Sequence, residues 1–397
     1  MRHDEQVRLM KELMSKIDAG VTVDAGGLRR NPATAYTDRD LAARERELFF
    51  RGHPQLVGLS GDLPGPGSFV TFDDLAVPML LTRDAEGTFR SFVNACRHRG
   101  ATIETRPRGS AQRFACPFHA WTYDSGGVLV SLPKSDHFGD VDRSCLGLVE
   151  LPSVEQYGLL YTHPDRDGTI DVDSLLGEDL AAELACWNIG SLRYLDGDTY
   201  EVACNWKLAM DTFGETYHFP VLHRDTLSPQ FHGHVQTYDT FDRNHRMVLA
   251  RRDLDAMRTM PEDTWDITIA GQPIYWLFPN VQLVPFVAGV FLVRAYPVGD
   301  DPGRHVSRIT FYIKPEVEAA GNAEALRAMV KVTFADVIRD EDYLMGAQQQ
   351  RSASTGALSH LLFGRNEPAL HHFHNTYREA LGMPLRPLLD EEAAAAR

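Results

Sequence analysis

Cys96-Arg97-His98-Arg99-Gly100 and Cys116-Pro117-Phe118-His119-Ala120 each place one cysteine close before one histidine, with one residue between them in the first segment and two in the second. Two thiolates and two imidazoles suit a [2Fe–2S] cluster with both sulfurs on one iron and both nitrogens on the other. Neutral imidazoles in place of two thiolates remove negative charge and ease reduction, into a range of about −150 to +300 mV. The chain therefore reads as a carrier of single electrons.

Structural zinc takes the same ligand types. The order Cys-His-Cys-His, the 17 residues between the halves and Pro117 fit two loops closing over a cluster better than a zinc finger. Residues 94–100 and 121–127 resemble the Rieske family, although Phe118 stands where that family often has Tyr and Ala120 where it often has Gly. Neither loop has the additional cysteine that forms a clamping disulfide in respiratory Rieske proteins. The resemblance is to the lower-potential Rieske ferredoxins and oxygenases.

The 397 residues exceed what one such module needs, and 43% hydrophobic with 24% charged residues is ordinary globular composition. A net charge of −15 speaks against nucleic acid or an anionic membrane, which both call for a Lys/Arg footprint. Three cysteines remain, Cys145, Cys186 and Cys204, and an odd scattered set is expected to be buried free thiols in a reducing cytosol. Residues 1–16 mix charge with apolar residues at helical spacing and show no export signal, so the expected location is cytoplasmic. The apolar stretch 274–293 is broken by Pro279, Asn280, Gln282 and Pro285, which makes it paired core strands.

Three domains are expected: an N-terminal helical segment 1–50 packing on the catalytic domain, a β domain 51–163 for the cluster, and a catalytic domain 164–397. Residues 205–223 are expected to hold a helix on which Glu215 and His218 fall one turn apart. Pro220 ends the regular run and lets His223 turn back toward His218. Two converging imidazoles with a distant carboxylate make a facial triad for mononuclear, non-haem Fe(II), which leaves positions open for O2. Residues 323–353 read as one long helix with Leu326, Val330, Val337 and Ile338 along an apolar stripe.

Together with Asn205-Trp206-Lys207 and Tyr217-His218, these motifs resemble the large (alpha) subunit of Rieske non-haem iron oxygenases, the aromatic-ring-hydroxylating dioxygenase family, over nearly the whole chain. The resemblance implies an α+β fold: a small all-β Rieske domain plus a helix-grip (START-like) catalytic domain with an antiparallel sheet and long C-terminal helices. It implies that Cys96, His98, Cys116 and His119 hold the cluster and that His218 and His223 hold iron. The third iron ligand is assigned to Asp342, with Asp340 as the alternative, because Glu341-Asp342 followed by Gln349-Gln350 resembles the family pattern. Glu215 takes the place of the family's bridging carboxylate, between His218 and His119 of a neighbouring subunit. Glu at that place resembles the homotrimeric branch that includes quaternary-amine demethylating enzymes.

The implied activity is hydroxylation or oxidative demethylation of a small aromatic, steroid-like or amine substrate with O2, as a mono- or dioxygenase. NAD(P)H electrons would arrive through a separate reductase, with or without a ferredoxin, since no nucleotide-binding glycine fingerprint follows a strand here. A Rieske electron carrier fused to a ligand-binding helix-grip domain is the alternative. The two differ in iron content, three irons per chain for the oxygenase and two for the carrier.

Overall fold

The computed structural model describes residues 1–75 and 77–391. The chain divides into two compact units. One comprises Arg46–Val172 and Asn188–Tyr194; the other comprises Met1–Glu45, Asp173–Trp187 and Leu195–Arg397.

The first unit is built of short strands. Five antiparallel strands lie in the order Glu150–Leu151, Phe89–Val93, Met79–Arg83, Ser68–Phe72 and Arg108–Ser110, and Gln55–Leu59 joins Leu159–Thr162 and Ser153–Gln156 in a second sheet. Arg113–Ala115, Thr122–Asp124 and Leu129–Ser131 form a third. Phe69, Leu80, Phe92, Phe114, Trp121, Tyr123 and Leu129 pack into one core, and Cys96 and Cys116 are buried within it. The returning segment Asn188–Tyr194 is tied in closely. Any side chain at Gly61 would collide with the Leu192 carbonyl oxygen, and the Arg108 guanidinium lies 3.3 Å from the centre of the Tyr194 ring.

The second unit is organised on a seven-stranded antiparallel sheet, ordered Arg193–Val202, His305–Ile313, Gly289–Pro297, Val281–Phe286, Gly271–Leu277, Asn244–Arg251 and Phe231–Phe241. The stretch 274–293 supplies three of these strands, so its prolines fall at turns and strand ends rather than in a membrane helix. Among the described residues no helix is long and apolar enough to cross a membrane. The short helix Trp206–Thr212 packs against strands Gly289–Pro297 and His305–Ile313 and helix Tyr343–Ala353. It is buried from Trp206 to Asp211, with Asn205 capping it by accepting from Lys207 N at 2.9 Å, and Lys207 pairs with the buried Glu45.

Two expected helices differ from the observed ones. The helix expected over 205–223 stops at Thr212, because the Glu215 carboxylate accepts from the backbone N–H groups of Tyr217 and His218 and so offers them a partner outside the helical ladder. The run 323–353 is α-helical over Ala323–Val332 and Tyr343–Ala353 but has π geometry over Thr333–Asp342. Such wide turns re-aim side chains and concentrate at functional sites. The N-terminal segment also contains a strand, Arg29–Pro32, paired with His360–Phe363.

The remaining thiols depart from expectation as well. Cys204 is buried, but Cys145 and Cys186 are exposed. Cys145 lies in a surface turn, where its thiol donates to Asp142, and Cys186 ends a helix, donating to the Ala182 carbonyl.

Candidate metal centres

The two cysteine-histidine loops of the β unit share one backbone design. Cys96 N donates to Ala101 O and Gly100 N to Cys96 O, both at 2.8 Å; Cys116 N donates to Trp121 O at 2.8 Å and Ala120 N to Cys116 O at 2.9 Å. Each loop closes on a residue in the left-handed region, Gly100 at φ 73° and Ala120 at φ 59°. The thiols are thereby buried while the histidines lie toward the surface, with Nδ1 of His98 and Nδ1 of His119 facing each other at 3.1 Å. Trp121 stacks on His98 at 5.2 Å.

The Tyr123 hydroxyl reaches Cys96 Sγ at 3.5 Å and accepts from Arg97 N at 3.1 Å, an ordering the sequence did not single out although Tyr123 lies inside the quoted motif. Burial pushes the Cys96 thiol up, against the opposing pull of the Tyr123 hydroxyl. Desolvation, then His119 and Arg99, push His98 down, toward the neutral imidazole that ligates metal. These four side chains do not make a cage for one tetrahedral ion. Among the described residues only His218, His223 and Asp342 bring three such donor atoms within 4.8 Å of one another.

That second group is assembled by the loop after Thr212. Single turns, with Phe219 N donating to Thr216 O at 3.1 Å and Leu222 N to His218 O at 2.8 Å, carry His218 and His223 to the same point. Their Nε2 atoms are 3.0 Å apart. Asp342 Oδ1 lies 3.0 Å from that of His223 and 3.5 Å from that of His218. An octahedral ion with bonds of about 2.1 Å sets neighbouring donors about 3.0 Å apart. The triangle fits one face of such an ion, with the opposite face free for other ligands.

Nδ1 of each ring is occupied by a different carboxylate: Glu215 Oε1 at 2.5 Å for His218 and Glu341 Oε2 at 2.5 Å for His223. With the protons held there, two imidazole lone pairs and a carboxylate oxygen converge on one point, an arrangement that repels itself until a cation or a proton enters. Burial alone would lower the His223 pKa, but Asp342 and Glu341 outweigh it and hold it above the ordinary imidazole value. Burial raises Asp342, against the pull of His223 and His218. The donor set is therefore one suited to a divalent metal.

Asp340, the alternative ligand, is elsewhere: it is exposed and paired with Arg339 at 2.5 Å. Glu215, His218 and Asp342 line a cleft of 820 Å³ whose other walls include Val221, Leu358, Leu362 and Phe363. On the inner side Phe219 packs on both metal-site rings, 5.0 Å from His218 and 5.2 Å from His223. Behind the loop, Asp211 accepts from Tyr36 OH at 2.7 Å and meets His374 Nε2 at 2.9 Å, a buried link absent from the sequence reading because its members are 163 and 175 positions apart.

The sequence matches two family models, the Rieske [2Fe-2S] domain over residues 53–155 and the ring hydroxylating alpha subunit (catalytic domain) over residues 189–383. The chain belongs to the Rieske ring-hydroxylating alpha-subunit family. Membership brings with it a [2Fe–2S] cluster in the first domain and mononuclear iron in the second.

Among the relatives, the anthranilate 1,2-dioxygenase large subunit of Acinetobacter baylyi is 31% identical over 52% of this chain and 45% of its own length. The carnitine monooxygenase oxygenase subunit of Acinetobacter baumannii is 28% identical over 47% and 50%. The chain thus spans about half the length of the curated relatives it matches. Solved structures share the fold over much more of it. The quaternary ammonium Rieske monooxygenase CntA with L-carnitine superposes with a TM-score of 0.73 at 20% identity, over 90% of this chain and 96% of that one. Naphthalene 1,2-dioxygenase from Rhodococcus sp. bound to indole gives 0.73 at 18% identity, over 94% and 98%.

Proposed function

We propose that the chain is the terminal oxygenase component of a multi-protein system. Electrons from NAD(P)H arrive through a separate reductase, directly or by way of a ferredoxin, and rest on the cluster held by Cys96, His98, Cys116 and His119. They pass from there to Fe(II) held by His218, His223 and Asp342. The observation that carries this reading is the three-donor face formed by those last residues, in the same chain as a one-electron cluster. Iron bound at that face supplies the reduction of O2 and the delivery of oxygen to a small organic substrate, by hydroxylation or oxidative demethylation.

The protein's own part is to hold and orient. Asp342 contributes the negative charge, and Phe219 shields the inner side of both rings from water. Glu215 turns His218 by its Nδ1 and lies at the cleft, a position that supports a link to His119 of a second copy. The exposed apolar residues Val221, Leu358 and Leu362 around that cleft favour its being covered by protein, in keeping with a homotrimer. Glu at the bridge and the carnitine monooxygenase relative support an amine or other demethylation substrate; the dioxygenase relatives support an aromatic one.

The test is iron content together with turnover. The oxygenase reading expects three irons per chain, a rhombic reduced-cluster signal, and O2 uptake with a surrogate reductase that accelerates on addition of substrate. Glu215→Gln is expected to keep all three irons and slow substrate-dependent oxidation of the reduced cluster by orders of magnitude. Two irons per fully loaded chain, unchanged in His218→Ala, would establish the electron carrier instead.

A further inference from the structure

Consecutive residues on a regular helix point about 100° apart and do not face a common partner. Glu341 and Asp342 nevertheless both reach His223, from opposite edges of its ring. Glu341 Oε2 lies 2.5 Å from Nδ1 and Asp342 Oδ1 lies 3.0 Å from Nε2, at the end of the π segment Thr333–Asp342. Glu341 is no free surface acid. The Thr226 hydroxyl donates to the same Oε2 at 2.9 Å, and Thr226 N donates to the His223 carbonyl at 3.1 Å, so one turn of chain fixes both the ring and its carboxylate. His223 itself is 1% exposed.

We infer that Glu341 is the positioning residue of the mononuclear metal site on the His223 side, the counterpart of Glu215 on the His218 side. This rests on the reading that His218, His223 and Asp342 hold the iron. Accepting the Nδ1 proton locks His223 in the tautomer whose lone pair is on Nε2, holds the ring plane toward Asp342 and His218, and raises the basicity of the ligating nitrogen. The two carboxylates differ in surroundings. Glu215 borders the cleft, whereas Glu341 turns to Thr226, its Oε2 shared between the Thr226 hydroxyl and Nδ1 of His223. In a run of crowded acids, Asp340-Glu341-Asp342, each therefore has a separate partner: the Arg339 guanidinium, the Nδ1 edge of His223 and the metal-facing Nε2 edge.

The experiment uses the cluster-loaded protein stripped of mononuclear iron and titrated anaerobically with Co(II), whose d–d absorption reports occupancy and geometry of this site. The visible spectrum of the [2Fe–2S] cluster reports folding. E341L, which keeps bulk but accepts no proton, is expected to weaken Co(II) binding by about 10–100-fold. E341Q, which keeps an acceptor oxygen, is expected to recover most of that loss. Both variants are expected to show the wild-type cluster spectrum. Co(II) affinities within twofold of wild type in both variants would overturn the inference while leaving the oxygenase reading intact. If E341L loses the cluster spectrum through misfolding, E341A, which also accepts no proton, takes its place under the same twofold limit. A wild-type protein that takes up no Co(II) would overturn this inference and the oxygenase reading together.

Discussion

Ala120 closes the second cluster loop at φ 59°, where the equivalent position of the first loop is Gly100 at φ 73°. The left-handed conformation costs a residue with a Cβ about 1–2 kcal/mol. Glycine at that position would remove this strain but give back about 0.4–1 kcal/mol through the greater freedom of the unfolded chain. Ala120 is exposed, so no packing is lost, and its N–H to the Cys116 carbonyl is kept. Ala120→Gly should therefore stabilise the β unit by roughly 1 kcal/mol, which for a unit of this size moves its unfolding midpoint by about 3–5 °C. The visible absorbance of the oxidised cluster, followed during heating, reads that midpoint. Gly100→Ala should lower it by a similar amount. A midpoint that stays put or falls in Ala120→Gly would refute the claim that backbone conformation, rather than the side chain, sets the residue preference at this place in both loops.

Asp342→Asn should reduce the chain from three irons to two with the cluster spectrum intact, whereas Asp340→Asn, on the Arg339 side, should keep all three by elemental analysis. Affinity of the stripped site for Co(II) should fall as the pH drops through the range above the ordinary imidazole value near 6.5, by up to about tenfold per unit. The sign follows from His223: its pKa is raised in the metal-free protein, so its proton competes from a higher pH and must leave for the metal to bind. An affinity flat between pH 6 and 8 would contradict this. Tyr123→Phe removes a hydrogen bond to Cys96 Sγ worth about 0.5–1.5 kcal/mol and should lower the cluster potential by about 20–60 mV, measured by redox titration of its reduced-state signal.

Much of this was legible in local spacing. The candidate cluster ligands lie within two five-residue loops, where residue type and interval point to them. His218 and His223 lie within six positions, but that interval is common and gains its meaning only beside the Rieske signature and the family resemblance it supports. The end of the helix at Thr212 was not legible, because it depends on the Glu215 side chain competing for the N–H groups of Tyr217 and His218. The π turns over Thr333–Asp342 have no periodicity of their own in the sequence, and they bring Glu341 as well as Asp342 to His223. The strand Arg29–Pro32 is four residues long and exists only through its pairing with His360–Phe363, more than three hundred positions away. The buried contact of Tyr36 and His374 with Asp211 is hidden for the same reason.

The chain leaves the second unit at Glu45 and re-enters it at Asp173, so the electron-carrying module is spliced into the catalytic one with both junctions internal. Such a layout invites module exchange between family members by replacing residues 46–172 as a cassette. The short return Asn188–Tyr194 limits that freedom. A donor cassette grafted without its own version of this stretch would meet a foreign backbone at Gly61, where no side chain can be accommodated, and would lose the ring beneath Arg108. A working chimera therefore has to carry both pieces, so that seven residues lying beyond the cassette in the linear sequence travel with it.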